Sequence, residues 1–204
     1  MDSSHTHMAG KETRPRRFLR FFKSRRAAVA LEFAFIAPFL FVLIFFIIWT
    51  GYAFVMGQAL SSATQKASRQ IATGSVQAAQ MTKDQFRTNV VCAQLPVMFT
   101  CSNVIVNVQT VPTNDSSYPN EYYSFVNSTQ TGLVTPALDN STTSFCPGNA
   151  QSYVYVQILY PVSIFLPFVT RLAGLTTFQG QSTLLISSTA TFLNEPFSAP
   201  VAGC

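Results

Sequence analysis

Three rhythms of apolar and polar positions run along this chain, and the first is an unbroken one. From Phe33 to Met56 almost every position is apolar, and Phe33 to Trp49 contains no charge. At about 1.5 Å per helical residue, the 24 residues of this run make a rod of roughly 36 Å. A bilayer's hydrocarbon layer is roughly 30 Å thick, so the run predicts one membrane-spanning helix with some tilt. Pro38 is the only helix breaker before Trp49. It is expected to kink the helix, which a membrane tolerates because neighbouring groups re-satisfy the freed carbonyl.

A helical rhythm follows. Gln58 to Thr73 is rich in Ala, Ser, Thr and Gln, and Leu60, Ala63, Ala67 and Ile71 recur at three- and four-residue steps. This predicts that the helix continues about four turns beyond the membrane with a narrow apolar stripe, stopping at Gly74. Thr82-Lys83-Asp84-Gln85 has the form of a capping box, predicting a short second helix from Lys83 to about Cys92.

The third rhythm has a period of two. Asn103 to Val111, Ser152 to Tyr160 and Ser182 to Leu193 are β-branched, alternating runs, read as strands of one antiparallel sheet. One face is expected to pack on the helix and the other to stay wet. Between the first two strands, residues 112–151 are crowded with Asn, Ser, Thr, Pro and Gly. So long a loop in a compact domain either hides a short element or forms a displayed excursion. Val162 to Leu175 is apolar but short for a span and interrupted by Pro167 and Arg171; it reads as a loop lying on the sheet or on the bilayer surface.

Charge supplies the orientation. The first 26 residues carry eight basic side chains (Lys11, Arg14, Arg16, Arg17, Arg20, Lys23, Arg25 and Arg26) against Asp2 and Glu12. The rest of the chain has five basic and six acidic residues, so the excess positive charge belongs to the leader. A basic cluster abutting an apolar span is read as a topology determinant that keeps the N-terminus in the cytoplasm and exports everything after Met56. Anionic lipid headgroups would bind the same cluster, and it is not read as a nucleic-acid arm.

Cysteine placement points the same way. Cys92, Cys101, Cys146 and Cys204 all fall in the exported part, where an oxidising compartment lets them pair. Three connectivities are open; Cys92 with Cys101 and Cys146 with Cys204 is preferred, the first pair being local and the second pinning the C-terminus. No short Cys-x-x-Cys exists, and the two histidines, His5 and His7, stand in the leader, so no zinc site is expected. The exported part also lacks a phosphate loop or a nucleophile elbow. Its carboxylates Asp84, Asp115, Glu121, Asp139 and Glu195 show no paired spacing, and its many hydroxyls have no base to activate them. Neither catalysis, a cofactor nor a small-molecule substrate is expected. Asn114, Asn127 and Asn140 fit the glycosylation pattern and are read as chance matches.

Glu32 stands out. A carboxylate in a membrane helix costs about 2.5–3.5 kcal/mol at the bilayer centre and less near an interface. Headgroup exposure or pairing with Arg25 or Arg26 would be bland explanations. A sharper one comes from the whole of Arg25-Arg26-Ala27-Ala28-Val29-Ala30-Leu31-Glu32-Phe33. It resembles the processing region of type IV pilin-like proteins, in which a membrane aspartyl peptidase leaves Glu as the fifth mature residue. Carried over, the cut falls between Ala27 and Ala28, with Glu32 and Phe33 as the processing and assembly motif. Ala27 stands where these substrates usually have glycine, and Phe33 where Flp pilins commonly have tyrosine.

Residues 28–40, with Pro38 six places after Glu32, are similar to the opening of the TadE-like family, pseudopilins of tight-adherence (Flp-type) pilus systems. Ile186 to Phe197, with Glu195-Pro196, resembles the family's last strand and closing motif. The resemblance implies an α+β protein with a basic leader at 1–27, a transmembrane helix at 28–57, and its continuation and a linker at 58–80. A small exported pilin-like domain would follow at 81–204, with an antiparallel sheet of three or more strands and the polar loop 112–151. It also implies a bacterial inner membrane, a periplasmic C-terminal domain, and a structural or assembly role in pilus biogenesis and surface attachment. The implied partners are the major Flp pilin, a companion TadF-like or TadG-like pseudopilin and the prepilin peptidase. The competing reading is a secreted or tethered binding module, cut by ordinary signal peptidase near Ala59-Leu60-Ser61, although the apolar run greatly exceeds a signal core.

Overall fold

Good helix formers without an interrupting glycine dimer or second proline make the long apolar run and the polar stretch after it a single element. In the computed structural model, which describes residues 25–111, 125–163 and 175–198 and gives the backbone alone for 25–28, helix α1 runs Arg25–Ala72 without a break at Pro38. The chain divides into two compact units, Met1–Thr50 and Gly51–Cys204.

Within the second unit, Met56, Leu60, Ala63, Ala67 and Ile71 are fully buried, so the stripe read from the sequence is the packed face of α1. Gly74 ends the helix with φ at +77°, a left-handed position that glycine adopts without strain. The last carbonyls are satisfied in turn: Thr73 N–H donates to Arg69 O, Gly74 N–H to Ile71 O, and Glu195 N–H, from beyond the last strand, to Ala72 O. Helix α2, Ser75–Ala78, follows at once.

The capping box at Thr82 forms as expected. Gln85 N–H donates to Thr82 Oγ1, and Thr82 N–H donates to Gln85 Oε1. The predicted single α-helix from Lys83 to Cys92 is corrected: α3 covers only Lys83–Gln85, then Phe86–Val91 widens to π-type spacing and Cys92–Gln94 tightens to a 3-10 turn. The apolar side chains explain the change, because Phe86, Val90 and Val91 are all buried and the wider turn lets all three reach the core.

The sheet has the order β1-β2-β4-β3, every pair antiparallel: β1 Ile105–Thr110, β2 Tyr153–Ser163, β3 Thr176–Phe178 and β4 Gln181–Leu193. The three predicted strands are present. The fourth, β3, was missed because it is three residues long, joined to β4 by Gln179 and Gly180, both with positive φ, as a two-residue hairpin turn requires. Strand β2 also runs on past Tyr160 through Pro161. Its odd-numbered residues bond toward β1, as Val111 N–H to Tyr153 O shows, and β1 pairs no further than Leu159. The missing N–H of Pro161 therefore costs no ladder bond.

Even-numbered strand residues form the α1-facing layer: Val106, Val108, Val154, Val156, Ile158, Tyr160 and Val162, with Ile186 and Phe192 at its margin. The expectation of a wet opposite face holds on β4, where Ser187, Thr189, Thr191 and Leu193 are exposed, and fails on β2. Tyr155, Gln157 and Leu159 are buried, because part of the 112–151 loop folds over that face. Phe125 stacks on Tyr155 with ring centroids 4.3 Å apart, and Gln157 Nε2 donates to Val134 O. The same loop closes the outer edge of β1. Val108 N–H donates to Ser144 O, Cys146 N–H to Val108 O, Val106 N–H to Asn140 Oδ1, and Thr143 Oγ1 to Val106 O. Residues 125–151 thus hide short elements, while 112–124 and most of the Val162–Leu175 segment lie outside the described residues.

Candidate functional site

Glu32 is the only charged residue between positions 27 and 65, and α1 places it two turns from its start. It is exposed, as are Leu31, Phe33 and Phe35 beside it. Exposed Phe, Leu, Ile and Val continue along the helix to Val55, an apolar surface far beyond what a water-soluble chain displays. The stretch Val29–Ala72 is long and apolar enough to cross a membrane, and a single N-terminal helix of this kind fits a single-pass membrane protein. Pro38 lies inside the helix and has no N–H to offer the Ala34 carbonyl.

Ala27 and Ala28 lie in the first turn of α1, as do Arg25 and Arg26. Arg14, Arg16, Arg17, Arg20 and Lys23 lie outside the described residues. A new amine at Ala28 would stand one turn, about 6 Å along the axis, from Glu32. Cutting there requires the opening turn of α1 to unwind, which is least costly at a helix end.

In the second unit, Cys92 and Cys101 form a disulfide with their Cα atoms 5.8 Å apart, joining the helical stretch after α3 to the turn that enters β1. Cys146 is not free; Cys204, its expected partner, lies outside the described residues. Asn140 and Asn127, two of the acceptor-pattern asparagines, have their side chains committed to Val106 N–H and to Thr131 respectively; Asn114 lies outside the described residues.

A cleft of about 830 Å³ opens between the α3 region, the 138–141 turn and the β3 hairpin. Its ionic groups are already engaged: Lys83 Nζ donates to Thr143 O at 2.6 Å, Arg87 Nη2 meets Asp84 Oδ1 at 3.0 Å, and Ser141 N–H and Oγ donate to Asp139. Those bonds, the hydroxyl's first and the backbone's second, hold the Asp139 carboxyl below the usual carboxylate range. A carboxylate kept ionised by its own turn is a structural pin and a poor proton donor. Sequence reading could not find this cleft, because its partners are some 60 residues apart. Among the described residues no group of three or more His, Cys, Asp or Glu is gathered where it could hold a metal ion.

No curated protein and no solved structure matches the chain. A family model does: the one described as TadE-like protein matches residues 27–69. The match covers the Ala27-Ala28 pair, Glu32, Phe33, Pro38 and the apolar helix, and ends before the sheet; residues 186–197 lie outside it. TadE-like proteins are a structural family of pilus components, and the likeness over these residues supports a Tad-pilus-associated role in general. Over residues 27–69 the long apolar helix, with the glutamate near its start, is thus similar to TadE-like proteins.

Proposed function

We propose that this protein is a TadE-like pseudopilin, a structural subunit or assembly factor for tight-adherence (Flp-type) pilus biogenesis and surface attachment. It sits in a bacterial inner membrane with its basic N-terminus in the cytoplasm and its sheet domain in the periplasm. Arg14, Arg16, Arg17, Arg20, Lys23, Arg25 and Arg26 set that orientation. The prepilin peptidase cuts between Ala27 and Ala28, and the trimmed subunit assembles with the major Flp pilin and a TadF-like or TadG-like companion.

The observation that carries this reading is the isolation of Glu32: the one charged residue between positions 27 and 65, on the exposed apolar part of α1 and inside the residues matched by the family model. Once the chain is trimmed at Ala28, Glu32 stands about one turn from the new helix N-terminus, where the backbone dipole favours a negative charge by about 0.3–1 kcal/mol. In an assembled bundle the Glu32 of one subunit neutralises the Ala28 amine of the next, defining a register that apolar packing alone leaves free to slide.

The fold also bears on the signal-peptidase alternative. A cut near Ala59-Leu60-Ser61 would remove Met56 and Leu60, two of the largest fully buried side chains of the second unit. Loss of such residues costs about 2–5 kcal/mol each, so that route would release a crippled domain.

Mass spectrometry of the mature N-terminus tests the proposal. In wild-type cells the chain begins at Ala28, in peptidase-null cells it keeps its leader, and Glu32→Gln is trimmed but fails to co-assemble with the pilin. An intact leader in both strains, or normal co-assembly of Glu32→Gln, overturns the corresponding part.

A further inference from the structure

The two edges of the sheet are treated differently. The outer edge of β1 is closed by residues 140–146. The outer edge of β4 is paired with β3 only at Gln181, Ser182 and Thr183, and among the described residues no strand covers it from Leu184 to Leu193. The β3 hairpin defines which groups face outward. Phe178 and Gln181 flank a two-residue turn and so exchange hydrogen bonds, which directs the odd-numbered residues of β4 to that side. Asn194 N–H, an even position, bonds to Ser152 O on the β2 side, in agreement. Leu185, Ser187, Thr189, Thr191 and Leu193 thus each aim an N–H and a C=O outward, with no hydrogen bond to another element among the described residues.

Proteins that stay apart protect such an edge with lysine, proline or a bulge. Strand β4 has no charged residue and no proline, and its register with β2 is unbroken. Its sequence is instead self-complementary about Thr189, the midpoint of the open stretch. An antiparallel copy centred there sets Leu185 opposite the partner's Leu193, Ser187 opposite the partner's Thr191, and Thr189 opposite the partner's Thr189. On the other face Ile186 meets the partner's Phe192 and Ser188 meets the partner's Ala190. All outward-bonding positions then face each other, for about ten hydrogen bonds at two per pair. Apart from Ser188 against the small Ala190, apolar stands against apolar and hydroxyl against hydroxyl, the pairs that stabilise sheets. The contact is isologous and closes on itself. The slot also ends where it must, at the β3 pairing on one side and at Asn194 on the other, after which the chain turns to bond Ala72 O through Glu195.

We propose that two copies of this chain join through the β4 edges into one continuous sheet of order β1-β2-β4-β4-β2-β1, centred on Thr189. This pairing goes beyond the pilus reading and rests on none of it. The test is oxidative cross-linking of the full-length protein in its host membrane. Thr189→Cys, an exposed position that faces its own copy, gives a reducible product at twice the mass of the single chain, while exposed Ser141→Cys gives none. In detergent solution, Thr189→Lys sets like charges opposite each other and lowers the dimer fraction at least tenfold with the unfolding midpoint unchanged. No product from Thr189→Cys, equal product from Ser141→Cys, a product at another mass such as a different strand donor would give, or an undiminished dimer in Thr189→Lys each overturns the proposal.

Discussion

Single side chains carry more than the alternation of the strands reveals. Tyr155 reads as one more alternating position in β2, yet its ring lies under Phe125 and its hydroxyl is buried with no hydrogen-bond partner among the described residues. Burial pushes that phenol up to about 12 from its ordinary value near 10. A raised folded-state value means that the neutral form is favoured in the native state. The associated stability is complete below about pH 10 and is lost as the pH rises toward about 12. Tyr155→Phe keeps the stack and deletes the unsatisfied hydroxyl, so stability at neutral pH should rise by about 1 kcal/mol and the alkaline loss should flatten. Urea unfolding across that alkaline range measures both. Asn140 teaches the same lesson: its glycosylation pattern is plain in the sequence, whereas its bond to Val106 N–H depends on a residue 34 positions away.

Elements divide by how local their causes are. The stripe on α1, the Thr82 capping box and the Gly74 stop were all legible, because each is defined by residues within one or two turns. Gly74 is the sharpest case. A side chain there would be strained at φ +77°, and its Cβ would stand 2.5 Å from the Phe197 ring. Gly74→Ala should cost about 1–2 kcal/mol from the backbone conformation alone, more where Phe197 must move, seen as a lower thermal midpoint with the spectrum of the folded state unchanged. The π-type stretch Phe86–Val91 was illegible for the opposite reason. A capping box and good helix spacing predict an α-helix, and only the demand that Phe86, Val90 and Val91 reach one core, Phe86 against Phe145 at 5.3 Å, selects the wider turn. Strand β3 is too short to carry a period.

The second unit is held by one short covalent link and by contacts between residues far apart along the chain. The Cys92–Cys101 link closes a separation of nine residues, and loop-closure entropy puts its contribution at about 2–3 kcal/mol. Cys92→Ser with Cys101→Ser should lower the denaturant midpoint accordingly, and reductant should lower the wild-type midpoint at least as far, because it also opens the disulfide of Cys146. The preferred local pairing of these two cysteines was readable because their separation is short. The polar loop was harder: its composition told of a long connection, and nothing in it foretold that residues 125–146 would cover one sheet face and seal one edge. The long apolar helix, its acidic start, its continuation into a packed stripe and three of the four described strands follow from periodicity and charge along the chain, since these are properties of neighbours. Which sheet face is dry, which edge is closed and which is uncovered among the described residues were decided only by the tertiary fold, because a loop finds its strand through hydrogen bonds and ring contacts between residues that no local pattern relates.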